Sequence, residues 1–273
     1  RGFDRFYGTI HGAGSLWDPN SLVRNNDFIS PWNDMEYKPT NFYYTDAISD
    51  NAAYFIREHN REKPFFMYYA FHAIHVPRIV HPRFEGKSQM GPRGDAILQM
   101  DWVTGQLMKA LDSLGIAENT LIFFSSDNGP VLDDGYGDQA VERLGSHQPA
   151  GPFRSGKYSI YEGGNRVPTI LRWPGKIKPG RSDALWNQVD LYASVAELME
   201  HELQEAEAKD SKALWPTLSG QSDQGRAVML EEAFTLGLRQ GQWKYIAPTK
   251  KEFSWIKGIK NIEGGISTEP QLY

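Results

Sequence analysis

The sequence contains no cysteine in its 273 residues. That absence excludes disulfide bonds, thiolate zinc sites and a cysteine nucleophile from this chain. The sequence also lacks an apolar run of membrane-spanning length, so we expect no membrane span. It has no block of lysine and arginine either, and 29 basic residues face 34 acidic ones, for a net charge of −5. Such a chain offers no electrostatic footprint for a phosphate backbone, so nucleic acid is not expected as a partner.

The remaining composition is that of an ordinary globular protein, with 40% hydrophobic and 13% aromatic residues. The chain is long enough for an enzyme built on one large core, or on one large and one small core. Its first residues, Arg1 to Gly8, include no initiator methionine and no leader pattern. Its last residues, Glu269 to Tyr273, carry no tail. We therefore expect both ends to be truncated.

The hydrophobic pattern predicts alternating helices and strands. Apolar residues such as Ile48, Ala52 and Phe55 recur at helical spacing, whereas continuous apolar runs of strand length are typical of strands buried on both faces. The predicted helices span residues 44–59, 95–115 (from a cap at Asp95 to a stop at Gly115) and 188–200, and the predicted strands span 64–71, 121–124 and 168–173. This order favours an α/β fold with a mainly parallel sheet covered by helices.

Two regions stand outside this pattern. Residues 1–43 are rich in Gly, Pro, Asn and aromatic residues, which predicts a long irregular excursion over a surface. The composition shifts near residue 201, after which residues 227–233 and 237–246 resemble short strands with a turn at Gly241 and Gln242. We therefore predict a main domain at residues 1–205 and a small C-terminal α+β lobe at residues 206–273.

Polar residues follow two of the predicted strands. The sequence His72-Ala-Ile-His75-Val-Pro comes after one strand, and Asp127-Asn128-Gly129 comes after another. Ligands of α/β sheets bind beyond the carboxyl ends of the strands. A carboxylate and an amide oxygen that converge past a strand end suit Ca²⁺ or Mg²⁺. The alternative is a β-turn in which Asp127 or Asn128 bonds its own backbone, and the pair alone does not decide between the two.

A third segment adds a family resemblance. The residues Gly156-Lys-Tyr-Ser-Ile-Tyr-Glu-Gly-Gly-Asn-Arg-Val-Pro168, together with HAIHVP, SSDNGP and the opening Gly2-Phe-Asp-Arg-Phe-Tyr-Gly8, form four blocks in order. Together they resemble the formylglycine-dependent sulfatases of the alkaline phosphatase superfamily, over essentially the whole chain. The resemblance implies an alkaline-phosphatase-like α/β fold and a sulfuric ester hydrolase. Its expected substrate is a sulfated carbohydrate or an aryl sulfate ester.

The resemblance also implies roles for individual residues. Asp127 and Asn128 look like ligands of the active-site Ca²⁺, with Mg²⁺ less favoured. Lys157 resembles the lysine that holds a sulfate oxygen, and His75 resembles the histidine that reaches the sulfate and its leaving-group oxygen. Metal and ammonium charges near the sulfate oxygens stabilise the transition state, and a histidine can supply a proton to the departing alkoxide. The stretch from Tyr161 to Arg166 is expected to shape the loop, and orienting Lys157 is the less favoured role of Glu162.

The sequence departs from the family pattern in what it lacks. Sulfatases make formylglycine from the cysteine of a Cys-X-Pro-X-Arg motif, and they place two further Asp ligands, a Lys and a His upstream of the segment that corresponds to Arg1–Gly8. A chain without cysteine that begins at Arg1 contains none of these. We therefore expect the central and C-terminal part of a sulfatase, inactive alone. By resemblance, a periplasmic or secreted location is expected.

The substrate loops lie between the expected metal ligands and Lys157. Asp133, Asp134, Tyr136 and His147 are candidates for hydrogen bonds to sugar hydroxyls, the alternative being a solvated acidic loop. Trp17 and Trp32 can form a further wall, since aromatic faces suit pyranose rings, or can simply pack in a core. The loop pattern resembles sulfatases of polysaccharide-degrading bacteria that act on sulfated galactose or N-acetylgalactosamine.

Two other function classes stay open. A phosphatase, phosphodiesterase or phosphonate hydrolase on the same scaffold would use similar metal ligands, although the motif around Lys157 argues against it. A non-catalytic calcium- or glycan-binding relic would lack a nucleophile altogether. The coding sequence upstream of Arg1 discriminates among the three, because a Cys-X-Pro-X-Arg motif there favours the sulfatase.

Overall fold

The computed structural model describes residues 2–12, 14–59, 61–251 and 262–273. The chain forms two compact units. Unit 1 comprises Arg1–Ala117 and Tyr136–His147, and unit 2 comprises Glu118–Gly135 and Gln148–Tyr273. This partition differs from the predicted boundary after residue 205, which stays a prediction. Among the described helices, none combines the length and the apolarity needed to cross a membrane.

Unit 1 begins with a small antiparallel sheet where the sequence predicts irregular structure. Strands β1 (Tyr7–Thr9), β2 (Leu22–Arg24) and β3 (Asp27–Phe28) lie in the order β1-β2-β3. A two-residue turn joins β2 to β3, and Asn25 in that turn has a positive φ of 57°. Asparagine tolerates this conformation better than most residues, so the hairpin can close. The prediction of no regular structure in residues 1–43 is therefore wrong for this stretch.

Helix α1 (Tyr44–Glu58) confirms the helix predicted from apolar spacing. Its buried face packs against β2 in a core that contains Leu22, Phe42 and Ile48. Beside this core the buried Arg24 guanidinium donates to both oxygens of Asp34, at 3.0 and 2.7 Å, and to Asn51 of α1 at 3.1 Å. A buried charge is tolerated only when it is paired and hydrogen-bonded, so these contacts fix β2 on α1.

Helix α2 (Gly91–Ser113) begins four residues before the predicted cap. Asp95 is therefore not the cap. Its buried carboxylate instead accepts hydrogen bonds from the backbone N–H groups of Gly86, at 2.8 Å, and Ser88, at 2.7 Å, and so holds the preceding loop. The predicted stop is confirmed, because Gly115 takes a positive φ of 68° just beyond the helix end. A short 3₁₀ turn, Ala117–Asn119, follows.

Residues 64–71 form no assigned strand, contrary to the prediction. Their exposure alternates along the chain, with Phe66 at 70% and Tyr68 at 77%, so the segment is not buried on both faces. Tyr69, on the other face, packs against the α1 core and its hydroxyl lies 2.8 Å from the Ser49 hydroxyl. The segment is extended, but the described residues provide no hydrogen-bonded ladder to make it a strand.

Unit 2 contains the remaining elements. Strand β4 (Ile122–Ser125) pairs antiparallel with β5 (Thr169–Arg172), and helix α4 (Asp190–Leu198) follows, close to the predicted positions of all three. Short helices α3 (Glu162–Asn165) and α5 (Trp215–Leu218) complete the helical set. The mixture of helices and sheets confirms the α/β class, but every strand pair among the described residues is antiparallel rather than parallel.

The predicted C-terminal lobe is confirmed as a small antiparallel sheet. Its strands are β6 (Met229–Glu232), β7 (Leu236–Gln240), β8 (Trp243–Ile246) and β9 (Gln271–Leu272), in that order. The predicted turn joins β7 to β8, and Gly241 in it has a positive φ of 56°. Ile246 of β8 is buried with Ile160 and Tyr161, so the sheet supports the segment that precedes α3.

His72 is a half-buried histidine in unit 1 whose Nδ1 atom is buried. Its ring packs edge-on against Tyr44, with centroids 4.6 Å apart, and its Nδ1 has no hydrogen-bond partner within the described residues. Burial, with a smaller effect of the neighbouring His75, lowers the pKa of His72 from 6.5 to about 4. The imidazole is therefore neutral in the folded protein at neutral pH.

We expect this histidine to make the protein less stable as the pH falls from 7 to 4. An unfolded histidine takes up a proton near pH 6.5 whereas folded His72 takes one up only near pH 4, so protons favour the unfolded state in that window. The loss at pH 4 is on the order of 3 kcal/mol. His72→Phe keeps a ring against Tyr44 but cannot titrate, and denaturant unfolding should show a smaller pH dependence for it. The exposed His201→Gln is the control, and equal pH dependence in His72→Phe and wild type would contradict the assignment.

Candidate active site

The turn after β4 presents two oxygen ligands. The backbone bends at Asp127 and Asn128, directly beyond the strand end. The Ser126 hydroxyl donates to the Asn128 carbonyl at 3.0 Å, and the Asn128 side-chain NH₂ donates to the Gly129 carbonyl at 2.9 Å. Within the described ranges, neither the exposed Asp127 carboxylate nor Asn128 Oδ1 is used by the turn. The turn is thus stabilised without the two oxygens that the family resemblance implies as metal ligands.

These two oxygens fit Ca²⁺ in kind. Carboxylate and amide oxygens are the hard ligands that Ca²⁺ prefers, and it takes about six to eight of them. No cluster of three or more His, Cys, Asp or Glu side chains suited to a metal occurs in the part of the chain that the structure describes. Asp127 and Asn128 therefore supply part of a coordination shell.

The turn is locked by backbone contact onto the segment that carries Lys157. The Gly129 N–H donates to the Gly164 carbonyl at 2.8 Å, and the Lys157 N–H donates to the Pro130 carbonyl at 2.8 Å. A Cβ atom at Gly129 would lie 1.8 Å from the Gly163 carbonyl oxygen, and one at Gly156 would lie 2.3 Å from the Pro130 oxygen. Only glycine fits at both positions. The structure thus brings the predicted metal ligands and Lys157 onto one backbone frame.

The conformation around Lys157 is strained. Ser155 and Tyr158 both lie in the left-handed region, with φ of 63° and 74°. Such residues cost about 1–3 kcal/mol each and persist only where the surroundings over-determine them. The carbonyl of Glu263 provides such a constraint, because it accepts from the Ser155 hydroxyl at 2.9 Å and from the Ser159 hydroxyl at 2.6 Å. The Lys157 ammonium is half-buried and lies 5.4 Å from the centre of the Tyr158 ring.

Glu162 binds the C-terminal sheet. Its carboxylate pairs with Arg239 at 2.8 Å and with the buried Lys244 at 3.1 Å. Burial alone would raise the pKa of Glu162, but Lys244 and Arg239 hold it below its usual value. These contacts support the loop-shaping alternative over a role in orienting Lys157.

His75 lies in unit 1, at an exposed turn closed by a hydrogen bond from its N–H to the His72 carbonyl at 2.9 Å. Its Nδ1 is 2.9 Å from the Val76 carbonyl. A carbonyl can only accept, so this contact requires the proton on Nδ1 and leaves Nε2 as the nitrogen that exchanges a proton. This hydrogen bond to the neighbouring Val76 carbonyl fixes the orientation of the His75 imidazole.

A buried ion pair next to His75 was not predicted from the sequence. The Asp138 carboxylate accepts from the Arg78 backbone N–H at 2.9 Å and from its guanidinium at 3.1 Å, and the two side chains are 8% and 4% exposed. Asp138 also accepts from the Ala140 N–H at 3.0 Å. Residues 136–147 are thereby anchored to the segment that follows His75. The only sequence signal is an arginine and an aspartate of opposite charge, 60 positions apart.

The predicted sugar-binding residues are divided between the two units. Asp133 and Asp134 belong to unit 2, and Tyr136 and His147 belong to unit 1. Asp133 accepts from the Gly135 N–H at 3.0 Å, so it shapes its own turn. Tyr136 is 53% exposed, and His147 is half-buried. Their contact with a substrate stays a prediction.

Comparison with known proteins gives a consistent result. Residues 1–201 match the protein family described as Sulfatase. The chain is 47% identical over 230 residues to an N-acetylgalactosamine-6-O-sulfatase of Bacteroides thetaiotaomicron, covering 84% of this chain and 44% of the relative. It is 36% identical over 279 residues to the human N-acetylgalactosamine-6-sulfatase, covering 98% of this chain and 51% of the relative. The chain thus spans about half the length of these curated relatives.

Solved structures show the same likeness. A structure from work on glycosaminoglycan metabolism by Bacteroides thetaiotaomicron superposes with a TM-score of 0.80 at 39% identity, covering 98% of this chain and 59% of that one. A second protein, solved in complex with k-i-k-neocarrahexaose, superposes with a TM-score of 0.72 at 25% identity, covering 92% of this chain and 59% of that one. The fold that positions Asp127 and Lys157 is therefore shared with these proteins.

The contact between the two glycine-containing segments predicts the effect of one added methyl group. Gly129→Ala should destabilise the protein by about 3 kcal/mol, because its Cβ would overlap the Gly163 carbonyl and neither backbone can move independently. Gly180→Ala is the matched control in unit 2, since its Cβ would meet only one atom, at 4.0 Å. Denaturant unfolding of both variants measures the difference, and equal stability would show that the turn is not locked.

Proposed function

This chain belongs to the sulfatase family, and on that premise we propose that the protein hydrolyses the 6-O-sulfate ester of an N-acetylgalactosamine unit in a sulfated glycan. The observation that carries the proposal is the backbone frame that joins the turn of Asp127 and Asn128 to the segment that carries Lys157. Sulfate hydrolysis requires such charges around the sulfate oxygens. The two N-acetylgalactosamine-6-sulfatases similar to this chain support the choice of sugar and position.

We assign the sulfate-binding role to unit 2. Asp127 and Asn128 would hold Ca²⁺ through the two oxygens that the turn leaves unused. A bound Ca²⁺ supplies positive charge for the sulfate oxygens. Lys157 donates a charge-assisted hydrogen bond to the same group, and the backbone bond from its N–H to Pro130 fixes the start of its side chain.

His75 is assigned the proton transfer to the leaving sugar oxygen. Because Nδ1 donates to the Val76 carbonyl, the proton passes through Nε2. The formylglycine that attacks sulfur in the family cannot arise from this chain's own residues by cysteine oxidation, since the chain has no cysteine. The roles proposed here therefore concern substrate binding and proton transfer.

The first test compares metal content and activity in the complete protein. Asp127→Ala should lose bound calcium, measured by elemental analysis, and should lose sulfate release from N-acetylgalactosamine-6-sulfate, because one of two oxygen ligands from this chain is gone. Asp183→Ala, an exposed carboxylate of unit 2, should change neither quantity. Unchanged calcium in Asp127→Ala would refute the metal assignment. Turnover of the 6-phosphate ester in place of the sulfate ester would favour the phosphoesterase alternative.

The second test separates the roles of Lys157 and His75. Lys157→Ala should raise KM and lower kcat together, because the ammonium binds sulfate in both the ground state and the transition state. His75→Ala should lower kcat by about 10²–10⁴-fold on the sugar sulfate but much less on nitrophenyl sulfate, whose phenolate needs little protonation. The comparison applies where sulfate-ester cleavage limits turnover. Equal losses on both substrates would show that His75 positions sulfate and is not the acid.

A further inference from the structure

We propose that residues of unit 1 form a binding site for an uncharged pyranose ring. The site is a cavity of about 550 Å³ lined by Trp17, Asp18, Trp32, Asn41, Phe42, His81 and Pro82. This volume is in the range of small-molecule sites and exceeds that of one sugar ring. The inference depends on these side chains alone and does not require the proposed sulfatase activity.

Both indoles are exposed, Trp17 beside a buried tyrosine and Trp32 on a hydrogen-bonded turn. Trp17 is 40% exposed, and its ring centroid is 4.8 Å from that of Tyr43, which is itself buried and donates to the Ile79 carbonyl at 2.8 Å. Trp32 is 69% exposed on a turn in which the Ser30 N–H donates to Asn33 Oδ1 at 2.7 Å. The C–H face of a pyranose ring, being weakly positive, packs well on the negative face of an indole.

The polar side chains that line the cavity favour an uncharged ligand that carries hydroxyl groups. Asp18 and Asn41 are exposed, and neither side chain makes a hydrogen bond within the described ranges. His81 is already engaged, because its Nδ1 accepts from the Arg83 N–H at 3.2 Å and its Nε2 lies 3.8 Å from Asp46. The lining residues therefore offer a carboxylate and an amide but no lysine or arginine. The hydroxyl groups of a neutral ring can donate hydrogen bonds to the Asp18 carboxylate, whereas that carboxylate repels a sulfated or carboxylated ring.

The concave shape favours a small ligand over a protein surface. Phe28 and Met35, nearby in sequence, are 69% and 81% exposed. A protein interface would also present such exposed apolar side chains. A flat interface has no use for a carboxylate and an amide that line a cavity together with two indoles, whereas a sugar can hydrogen-bond to both. Protein contact is accordingly the rival outcome of the test.

The test uses the complete protein and an unsulfated tetrasaccharide of galactose and N-acetylglucosamine as the probe, with binding measured by calorimetry and by saturation-transfer NMR. Trp32→Ala should weaken binding about tenfold, the size expected for loss of one stacking contact. Trp243→Ala removes a tryptophan of similar exposure, 56%, from β8 of unit 2 and should leave the affinity unchanged. Asp18→Asn should abolish the preference for the neutral tetrasaccharide over one carrying a uronic acid.

Three results would overturn the proposal. The first is equal affinity of wild type and Trp32→Ala for the tetrasaccharide. The second is that Trp32 is shielded from acrylamide in the complete protein, measured as the difference in fluorescence quenching between wild type and Trp32→Phe. In that case the cavity is filled by protein. The third is a change of oligomeric mass in Trp32→Ala, which would identify the surface as a protein interface.

Discussion

The candidate site depends on one close approach between two stretches of backbone. The turn after β4 and the segment that leads into α3 are joined by hydrogen bonds from Gly129 to Gly164 and from Lys157 to Pro130, both 2.8 Å long. Backbone bonds hold position more tightly than bonds between flexible side chains, because no rotamer freedom remains to be lost. The spacing between the Asp127–Asn128 bend and the start of the Lys157 side chain is therefore set by the main chain.

The C-terminal sheet supports this frame through contacts with the segment that leads into α3. Ile160 and Tyr161 pack with Ile246 of β8, and Glu162 at the start of α3 binds Lys244 and Arg239. Glu162 would otherwise carry an unpaired negative charge close in sequence to Lys157. Two cations neutralise it, and the buried Lys244 is in turn paired with Glu231 at 2.5 Å. The sheet thus contributes both packing and charge balance.

The sequence predicts local structure well and long-range contacts poorly. Helix α1 and the β7–β8 hairpin follow from apolar spacing and from the turn residues at Gly241, both of which are local signals. The run at residues 64–71 is misleading because an apolar run carries no information about its ladder partner. The cap predicted at Asp95 is wrong because the Asp95 carboxylate accepts from Gly86 and Ser88 of the preceding loop, and sequence spacing does not show those contacts. The fit of Gly129 under the Gly163 carbonyl requires knowledge of both backbones at once.

The ion pair between Arg78 and Asp138 has a consequence for how such a gene can diversify. The Asp138 carboxylate anchors residues 136–147 to the segment that follows His75. Surface loops accept insertions and deletions readily, provided that their fixed points survive. Residues on either side of Asp138 can therefore be inserted, deleted or replaced while this ion pair keeps the segment next to His75 in place. Lineages that inherit this ion pair can vary the flanking stretches while the segment that follows His75 stays anchored.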